Sequence, residues 1–331
     1  MGPYILVGLG AGAASALLFV SVVTGSILSL LLFYMAPLPI LISGLGWSHW
    51  VGLVAGCTAA VAVGALLGIN HFLTFLIAIA LPAWWLCYLS MLARPVGSNG
   101  SLTLEWYPVG RLLLWTGLLG TLVAMVAIPE FSANKSKIHA AVKEMFERIQ
   151  GAQANTNTSS PADIDRIVEM AVDFVLPIAA ISFTLRNIFN LWLAGCIVNL
   201  SGRLKRPWPD LSTLTLPPFA LALLCIAAVG SMLPDVAGTI AAIVAAGLIT
   251  AYAALGFAIL HAITRGIALR PYLLFSAYFT VIFLAAPLLG LPILAIALLG
   301  LADQGLNFRA RMAQKPRPPT LPTSNPPHSK N

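Results

Sequence analysis

The residues whose types and spacing could do chemistry lie in an apolar stretch near the middle of the chain, at LRNIFNLW. Arg186 and Asn190 are four residues apart, so a helix places them on one face, with Asn187 beside them and Trp192 close by. A charge at membrane depth costs about 2.5–3.5 kcal/mol on insertion scales, so such a residue faces other protein groups or a water-filled cavity. These four residues are a candidate cavity that could bind an anionic group of a substrate.

A structural role for the same arginine is the alternative. Arg186 could hydrogen-bond the carbonyl groups at a helix end, or pair with an acid such as Asp303, and so hold the helices together. The residues alone leave both roles open.

Motifs for catalysis or metal binding are missing from the sequence. There is no Walker A sequence, no G-x-S-x-G, no H-E-x-x-H and no pair of carboxylates within the apolar stretches. The four cysteines lie in apolar stretches and form no C-x-x-C pair, so neither disulfides nor a zinc site is predicted. We therefore predict no enzyme activity, no cofactor and no metal.

Composition determines the class of protein that must position these residues. Of 331 residues, 59% are hydrophobic and 9% are charged, whereas soluble domains are about 25% charged. Apolar runs long enough to be transmembrane helices recur along the chain. We predict an all-α, polytopic integral membrane helix bundle with about ten spans (eight to ten), forming one domain over residues 1–306. Pro37 and Pro39 should break the second span, and the apolar run 271–302 should divide at PLLGLP.

The distribution of charge predicts the orientation. If the loops near Arg94, Arg203 and Arg265 share a side with the C-terminus, that side gathers twelve basic and three acidic residues, and the other side gathers five basic and eight acidic ones. Basic residues near span ends mark the cytoplasmic side, so both termini should be cytoplasmic. The net charge of +7 is explained in this way. No basic patch alternates with exposed aromatic residues, so nucleic acid is not a predicted partner.

Two polar segments complete the domain organisation. Residues 129–166 should form an extracytoplasmic loop that contains an amphipathic helix. The apolar face of that helix consists of Ile138, Val142, Met145, Phe146 and Ile149. Residues 307–331 are basic and rich in proline, so they should form a disordered cytoplasmic tail.

Two further sets of residues are candidates for contacts with other helices or proteins. Gly8, Gly12 and Ala16 are spaced by four and form a small-residue stripe on the first span, which allows another helix to approach closely. The second set lies in SGRLKRPWPD, after the sixth span, and could anchor the chain at lipid headgroups or contact a cytoplasmic partner. Its members are Arg203, Lys205, Arg206 and Trp208.

At GAASALLFVSVVTGSILSLLLFYMAPLPILISGLGW and at GRLKRPWPDLSTLTLP, the chain resembles the YybS-like predicted membrane proteins, a bacterial family of unknown function. That family is distantly similar to the substrate-binding S-components of energy-coupling-factor vitamin transporters. The resemblance implies a multi-pass protein of the bacterial inner membrane. In S-components a small-residue stripe on the first span docks a coupling helix, so the resemblance implies that role for Gly8, Gly12 and Ala16.

Two functions follow from these observations, and both place the protein in the lipid bilayer. The first is a substrate-binding or transport-related membrane protein, whose small-molecule substrate contacts Arg186, Asn187 and Asn190; lipid handling is a variant of it. The second is a scaffold that does not transport and that recruits membrane or cytoplasmic proteins through its basic loops and tail.

Overall fold

The structure, a computed structural model, describes residues 2–97, 103–152, 161–210, 213–284 and 290–306. The predicted tail 307–331 therefore lies outside the described residues. Helices dominate the part of the chain that is described. They are α1 (Gly2–Val20), α2 (Ile27–Tyr34), α3 (Leu38–Gly46), α4 (His49–Leu67), α5 (Ile69–Phe75), α6 (Leu81–Ser90), α7 (Val109–Val126), α8 (Ile128–Ala133), α9 (Lys135–Ala152), α10 (Pro161–Asp173), α11 (Val175–Leu200), α12 (Phe219–Gly230), α13 (Asp235–Ile263), α14 (Arg270–Leu284) and α15 (Leu291–Leu306).

Seven helical segments within the described residues are long and apolar enough to cross a membrane, which confirms the predicted all-α membrane class. They are Tyr4–Thr24, Ile27–Gly46, His49–Leu67, Ile69–Ser90, Val109–Ala133, Val175–Leu200 and Asp235–Ile263. The helices α12, α14 and α15 are apolar but shorter. Between α6 and α7, the strands β1 (Ala93–Val96) and β2 (Thr103–Trp106) pair in an antiparallel hairpin.

Prolines interrupt two of the long apolar segments. The second segment is divided into α2 and α3 near Pro37, where the Leu38 N–H donates to the Met35 carbonyl instead of continuing the α-helical pattern. In the fourth segment a π-helical turn, Leu76–Ala80, separates α5 from α6 just before Pro82. Because proline has no N–H, each interruption leaves backbone carbonyls without their usual helical donors.

Helices α7 and α11 lie at the centre of the bundle. One hydrophobic cluster joins α1, α3, α4 and α6 to parts of α7 and α11, and a second joins α7 to α12, α13 and α15. Glycines allow the close packing: a Cβ on Gly117 of α7 would lie 2.9 Å from the carbonyl oxygen of Gly247 in α13. A Cβ on Gly120 would lie 2.8 Å from the backbone nitrogen of Thr184 in α11. This packing resembles that of membrane helices with small residues at their interfaces.

The predicted amphipathic helix corresponds to α9. Ile138, Val142 and Phe146 are half-buried, Met145 is exposed, and the side chain of Ile149 lies outside the described residues. The next helix, α10, packs against α9. The polar region thus extends to Asp173, beyond the expected boundary at residue 166.

Ion pairs show that α9 and α10 run antiparallel. Lys143 Nζ lies 2.7 Å from Asp165 Oδ1, and Lys135 Nζ lies 3.6 Å from Asp173 Oδ1. Val168 and Val172 of α10 are fully buried, which gives this helix one apolar face beneath its acidic one. The apolar residues before α11 therefore cover α9, and α11 begins after them at Val175.

Candidate functional site

A cavity of about 980 Å³ lies between α7, α11, α13 and α14. Most of its lining is apolar, and α11 contributes one stripe at helical spacing. That stripe consists of Ile181, Leu185, Ile188, Trp192 and Gly195. Thr116 and Thr250 also line the cavity, but their hydroxyl groups donate to carbonyls of their own helices, so they offer little polarity to a ligand. The cavity suits an apolar chain or ring system.

One end of the cavity is basic. Arg206 follows α11, Arg265 follows α13, and Arg270 begins α14, and all three line the cavity. Arg265 Nη2 lies 3.7 Å from Asp210 Oδ1. Burial lowers the pKa of the Arg206 guanidinium from its ordinary value. The Nε atom of Arg270 is buried and has no hydrogen-bond partner among the described residues.

An aromatic pair lies beside these arginines. His261 and Tyr278 both line the cavity, and His261 Nε2 lies 3.0 Å from the Tyr278 hydroxyl. The Tyr278 ring also stacks on Phe257, with 4.5 Å between ring centroids and 3° between ring planes. These contacts attach α14 to α13 across the cavity.

The cavity opens sideways, at the depth of the apolar helices. Leu185 and Trp192 of α11 line it and are still 50% and 51% exposed, and Ile282 of α14 is 68% exposed. Exposure of this size on lining residues of α11 and α14 indicates that the cavity is partly open along these two helices. Since α11 and α14 are apolar here, the opening faces the region that lipid chains would fill.

Of the four predicted cavity residues, only Trp192 lines this cavity. Arg186, Asn187 and Asn190 are buried on the other side of α11. At about 100° per residue, the mean direction of these three side chains around the axis of α11 is about 180° from the mean direction of the lining stripe. The structure thus brings the three polar residues together, but away from the large cavity.

Arg186 donates a hydrogen bond to a helix carbonyl. A carbonyl and an acid were the two partners considered for its structural role. Its Nη2 donates to the Ala78 carbonyl at 2.5 Å, in the π-helical turn. Pro82, four residues after Ala78, has no N–H, so Arg186 supplies a donor where the helix lacks one. The guanidinium also lies 4.9 Å from the centroid of the Phe183 ring, within the range of a cation–π contact.

Asn190 likewise supplies a donor to a carbonyl that lacks its helical partner, at the interruption near Pro37. Its Nδ2 donates to the Tyr34 carbonyl at 2.9 Å and to the Arg186 carbonyl at 2.9 Å. The helical donor for Tyr34 would be the Leu38 N–H, which bonds to Met35 instead. Asn187 Nδ2, Asn190 Oδ1 and Arg186 Nε are buried without hydrogen-bond partners among the described residues.

The small-residue stripe of α1 packs against α4 of the same chain. A Cβ on Gly8 would lie 2.8 Å from Val54 Cγ1, and one on Gly12 would lie 2.7 Å from Thr58 Cβ. Ala16 is 3% exposed. A helix of another protein would therefore find this stripe already covered.

The four candidate cytoplasmic contact residues separate into two groups. Arg206 and Trp208 line the cavity, and the Trp208 ring lies 3.6 Å from where a Cβ of Gly195 would be. The Arg203 guanidinium lies 4.5 Å from the centroid of a Trp47 ring. Lys205 is exposed. Half of this set is thus part of the cavity.

Sequence reasoning missed the other residues of the basic end. In the sequence, Arg265 and Arg270 belong to the twelve basic residues that predict orientation, and His261 and Tyr278 belong to no motif. The available signal was three arginines directly beyond span ends on one predicted side. Convergence on one cavity depends on how the helices pack, which the spacing along the chain does not reveal.

Comparisons with protein-family models, curated proteins and solved structures give no match for this chain. The described residues contain no group of three or more side chains that could hold a metal ion. What the cavity offers chemically is a large apolar volume with cationic donors at one end, an arrangement that suits binding of an amphiphile.

Proposed function

We propose that the protein is a substrate-binding membrane protein and that its substrate is a largely apolar molecule held in the cavity between α7, α11, α13 and α14. The observation that carries the proposal is the cavity itself, about 980 Å³ with a mainly apolar lining. This volume lies at the upper end of the range of about 300–1,000 Å³ that is usual for small-molecule sites. The lateral opening gives access from the bilayer, so a lipid-like molecule is the natural occupant.

The proposal includes about ten spans (eight to ten) with both termini in the cytoplasm. It also includes a bacterial inner-membrane location, which is what the YybS-like resemblance implies. Contacts between loops support one common basic side. Arg265 pairs with Asp210, and Gln304 Nε2 at the end of α15 donates to the Leu216 carbonyl at 3.3 Å. The loop after α11, the loop after α13 and the end of α15 thus share one end of the bundle. The positive-inside rule assigns that end to the cytoplasm.

A transport-related role would use the same cavity, with the substrate entering and leaving through the lateral opening. The scaffold function has less support. Two of its four contact residues, Arg206 and Trp208, line the cavity, which leaves only Arg203 and Lys205 outside it.

Filling the cavity tests the proposal. Ala254→Phe adds a ring at a lining position of α13, and Ala237→Phe adds the same ring at an exposed position of the same helix. Native mass spectrometry of protein purified in mild detergent should detect a bound amphiphile in the wild type and in Ala237→Phe, and much less in Ala254→Phe.

Two results would overturn the proposal. One is equal occupancy in both variants. The other, which does not depend on any variant folding, is a delipidated wild-type protein that binds no added amphiphile.

A further inference from the structure

We propose that the molecule bound in the cavity is a membrane lipid with a phosphate group, and that Arg206, Arg265 and Arg270 bind that phosphate. This inference rests on the proposed function, because it assigns the polar end of the same ligand. It is carried by the three guanidinium groups that line one cavity.

The charges around this end of the cavity are not balanced. The described lining residues include three arginines and no carboxylate. Asp210 is the acid seen near them, and it lies 3.7 Å from Arg265, with side chains 57% and 59% exposed respectively. An exposed ion pair of this kind is weak, so Arg265 can exchange it for a buried anion with little loss. The cavity therefore has an excess of positive charge.

Two of the arginines are partly removed from water, and neither has an ion pair among the described residues. Arg270 has a buried Nε that lacks a partner among the described residues, and Arg206 is half-buried against the cavity. Leaving a donor of a charged group buried and unpaired is costly, and an anion with several acceptor oxygens would remove that cost. The guanidinium fork suits the oxygens of phosphate, which accept paired hydrogen bonds.

The position of the arginines along the membrane normal fits a lipid headgroup. Arg206 lies beyond the end of α11 and Arg265 beyond the end of α13. Residues directly beyond span ends are at the depth of phosphate groups in the bilayer. The apolar lining then extends inward beside α11, from Trp208 past Gly195 to Leu185. An anionic head at the loops and an acyl or prenyl chain along this lining would follow the polarity of the cavity.

The outer side of the cavity is formed by a helix that can admit such a molecule. No described residue of α14 is fully buried. Its attachment to α13 includes the Tyr278 ring, which stacks on Phe257, and the hydroxyl that lies 3.0 Å from His261. Phosphate at Arg270 would approach this pair from the cavity side, and chains could pass between α11 and α14.

The experiment compares two lipids that differ only in the phosphate. Delipidated wild-type protein in mild detergent is titrated with dioleoyl phosphatidic acid and with dioleoylglycerol, and bound lipid is counted by native mass spectrometry. Phosphatidic acid should bind at least about tenfold more tightly, because charge-assisted hydrogen bonds to guanidinium groups are strong. Inorganic phosphate alone at millimolar concentration should not displace it, because phosphate lacks the apolar contacts.

Each of the other possible results refutes a particular part of the proposal. Equal binding of the two lipids would refute the phosphate assignment and leave the proposed apolar site standing. Binding of neither lipid would refute the proposed function as well. Displacement by inorganic phosphate at an affinity comparable to that of phosphatidic acid would show that the source is free phosphate and would refute the lipid.

Charge-removing variants locate the headgroup. Arg206→Gln and Arg270→Gln should each remove most of the preference for phosphatidic acid over dioleoylglycerol, because each removes a guanidinium group that donates to the phosphate. The matched control is Lys205→Gln, which removes the same charge from an exposed residue adjacent to Arg206. If Lys205→Gln reduced the preference as much as the arginine variants, bulk charge would explain it, and the three-arginine site would be refuted. The wild-type comparison of the two lipids keeps the proposal testable if a variant does not fold.

Discussion

Arg186→Met is the substitution whose effect the structure defines most sharply. It replaces the guanidinium with a shorter, uncharged side chain, which removes the donor that reaches the Ala78 carbonyl and the charge that lies over Phe183. Hydrogen bonds between membrane helices average about 0.6 kcal/mol and reach about 1.7, whereas those to charged groups contribute about 1.5–3 kcal/mol. This bond is charged and buried, so we take about 1.5 kcal/mol for it. A cation–π contact adds about 0.5–2 kcal/mol, which gives a total loss of about 2–3.5 kcal/mol.

The physical reason for that loss can be tested separately with Pro82→Ala. This substitution restores an N–H four residues after Ala78, so the helix can supply its own donor to that carbonyl. In the Pro82→Ala background, Arg186→Met should therefore cost about 1–1.5 kcal/mol less than in the wild type, a coupling of the size found for residues in one network. The cation–π part of the loss should remain in both backgrounds.

Equilibrium unfolding in mixed dodecyl maltoside and SDS micelles, followed by circular dichroism, gives the free energy of unfolding. It is measured for the wild type, Arg186→Met, Pro82→Ala and the double variant. Arg94→Met is the matched control. Its guanidinium bonds to Glu105 and its side chain is 76% exposed, so a loss of only about 0–1 kcal/mol is expected. If Arg186→Met cost the same with and without Pro82, the argument that Arg186 replaces the missing helical donor would be refuted.

Three further predictions concern packing, pH and orientation. Gly117→Val places a Cβ 2.9 Å from a carbonyl oxygen of α13 and should lower the free energy of unfolding by about 1–3 kcal/mol in the same assay. The control is Gly10→Val, whose Cβ meets nothing within 4 Å and which should change the free energy of unfolding by well under about 1 kcal/mol. Equal effects of the two variants would contradict the close packing of α7. The hydrogen bond from Lys143 holds the pKa of Asp165 below its usual range, so its contribution to the α9–α10 contact is present at neutral pH and is lost as pH falls through that lowered pKa. The protection of the α10 amides, measured relative to the intrinsic exchange rate at each pH, should therefore fall more on acidification in the wild type than in Asp165→Asn, and an identical fall in both would count against the ion pair. A reporter inserted within residues 155–160 should read as extracytoplasmic, and a cytoplasmic reading would reverse the proposed orientation.

The features that were predictable from the sequence are those set by local chemistry. Long apolar runs predicted a helical membrane protein, because a backbone surrounded by lipid must form its hydrogen bonds within its own segment. Pro37 and Pro39 predicted the break in the second span, because proline has no N–H to donate within a helix. The small residues of α1 gave a close helix contact, but the partner, α4, is a property of packing.

The candidate site was harder to predict because its residues are distant in sequence. Arg186 was selected because a buried charge is rare, and the structure relates it to Ala78, 108 residues earlier, rather than to the large cavity. The arginines that do line the cavity looked ordinary, since arginine beyond a span end is what orientation alone requires. The predicted loop boundary at residue 166 falls inside α10, because the apolar face of α10 is continuous in sequence with the apolar run of α11.

The two carbonyl contacts of α11 also bear on how the protein is made. Tyr34 and Ala78 are synthesised long before Asn190 and Arg186, which lie 156 and 108 residues further along the chain. A nascent chain that ends before α11 contains both interrupted helices and neither of these donors. Until α11 is made, the second and fourth apolar segments therefore lack these two side-chain donors, and the Tyr34 and Ala78 carbonyls must bond to other groups.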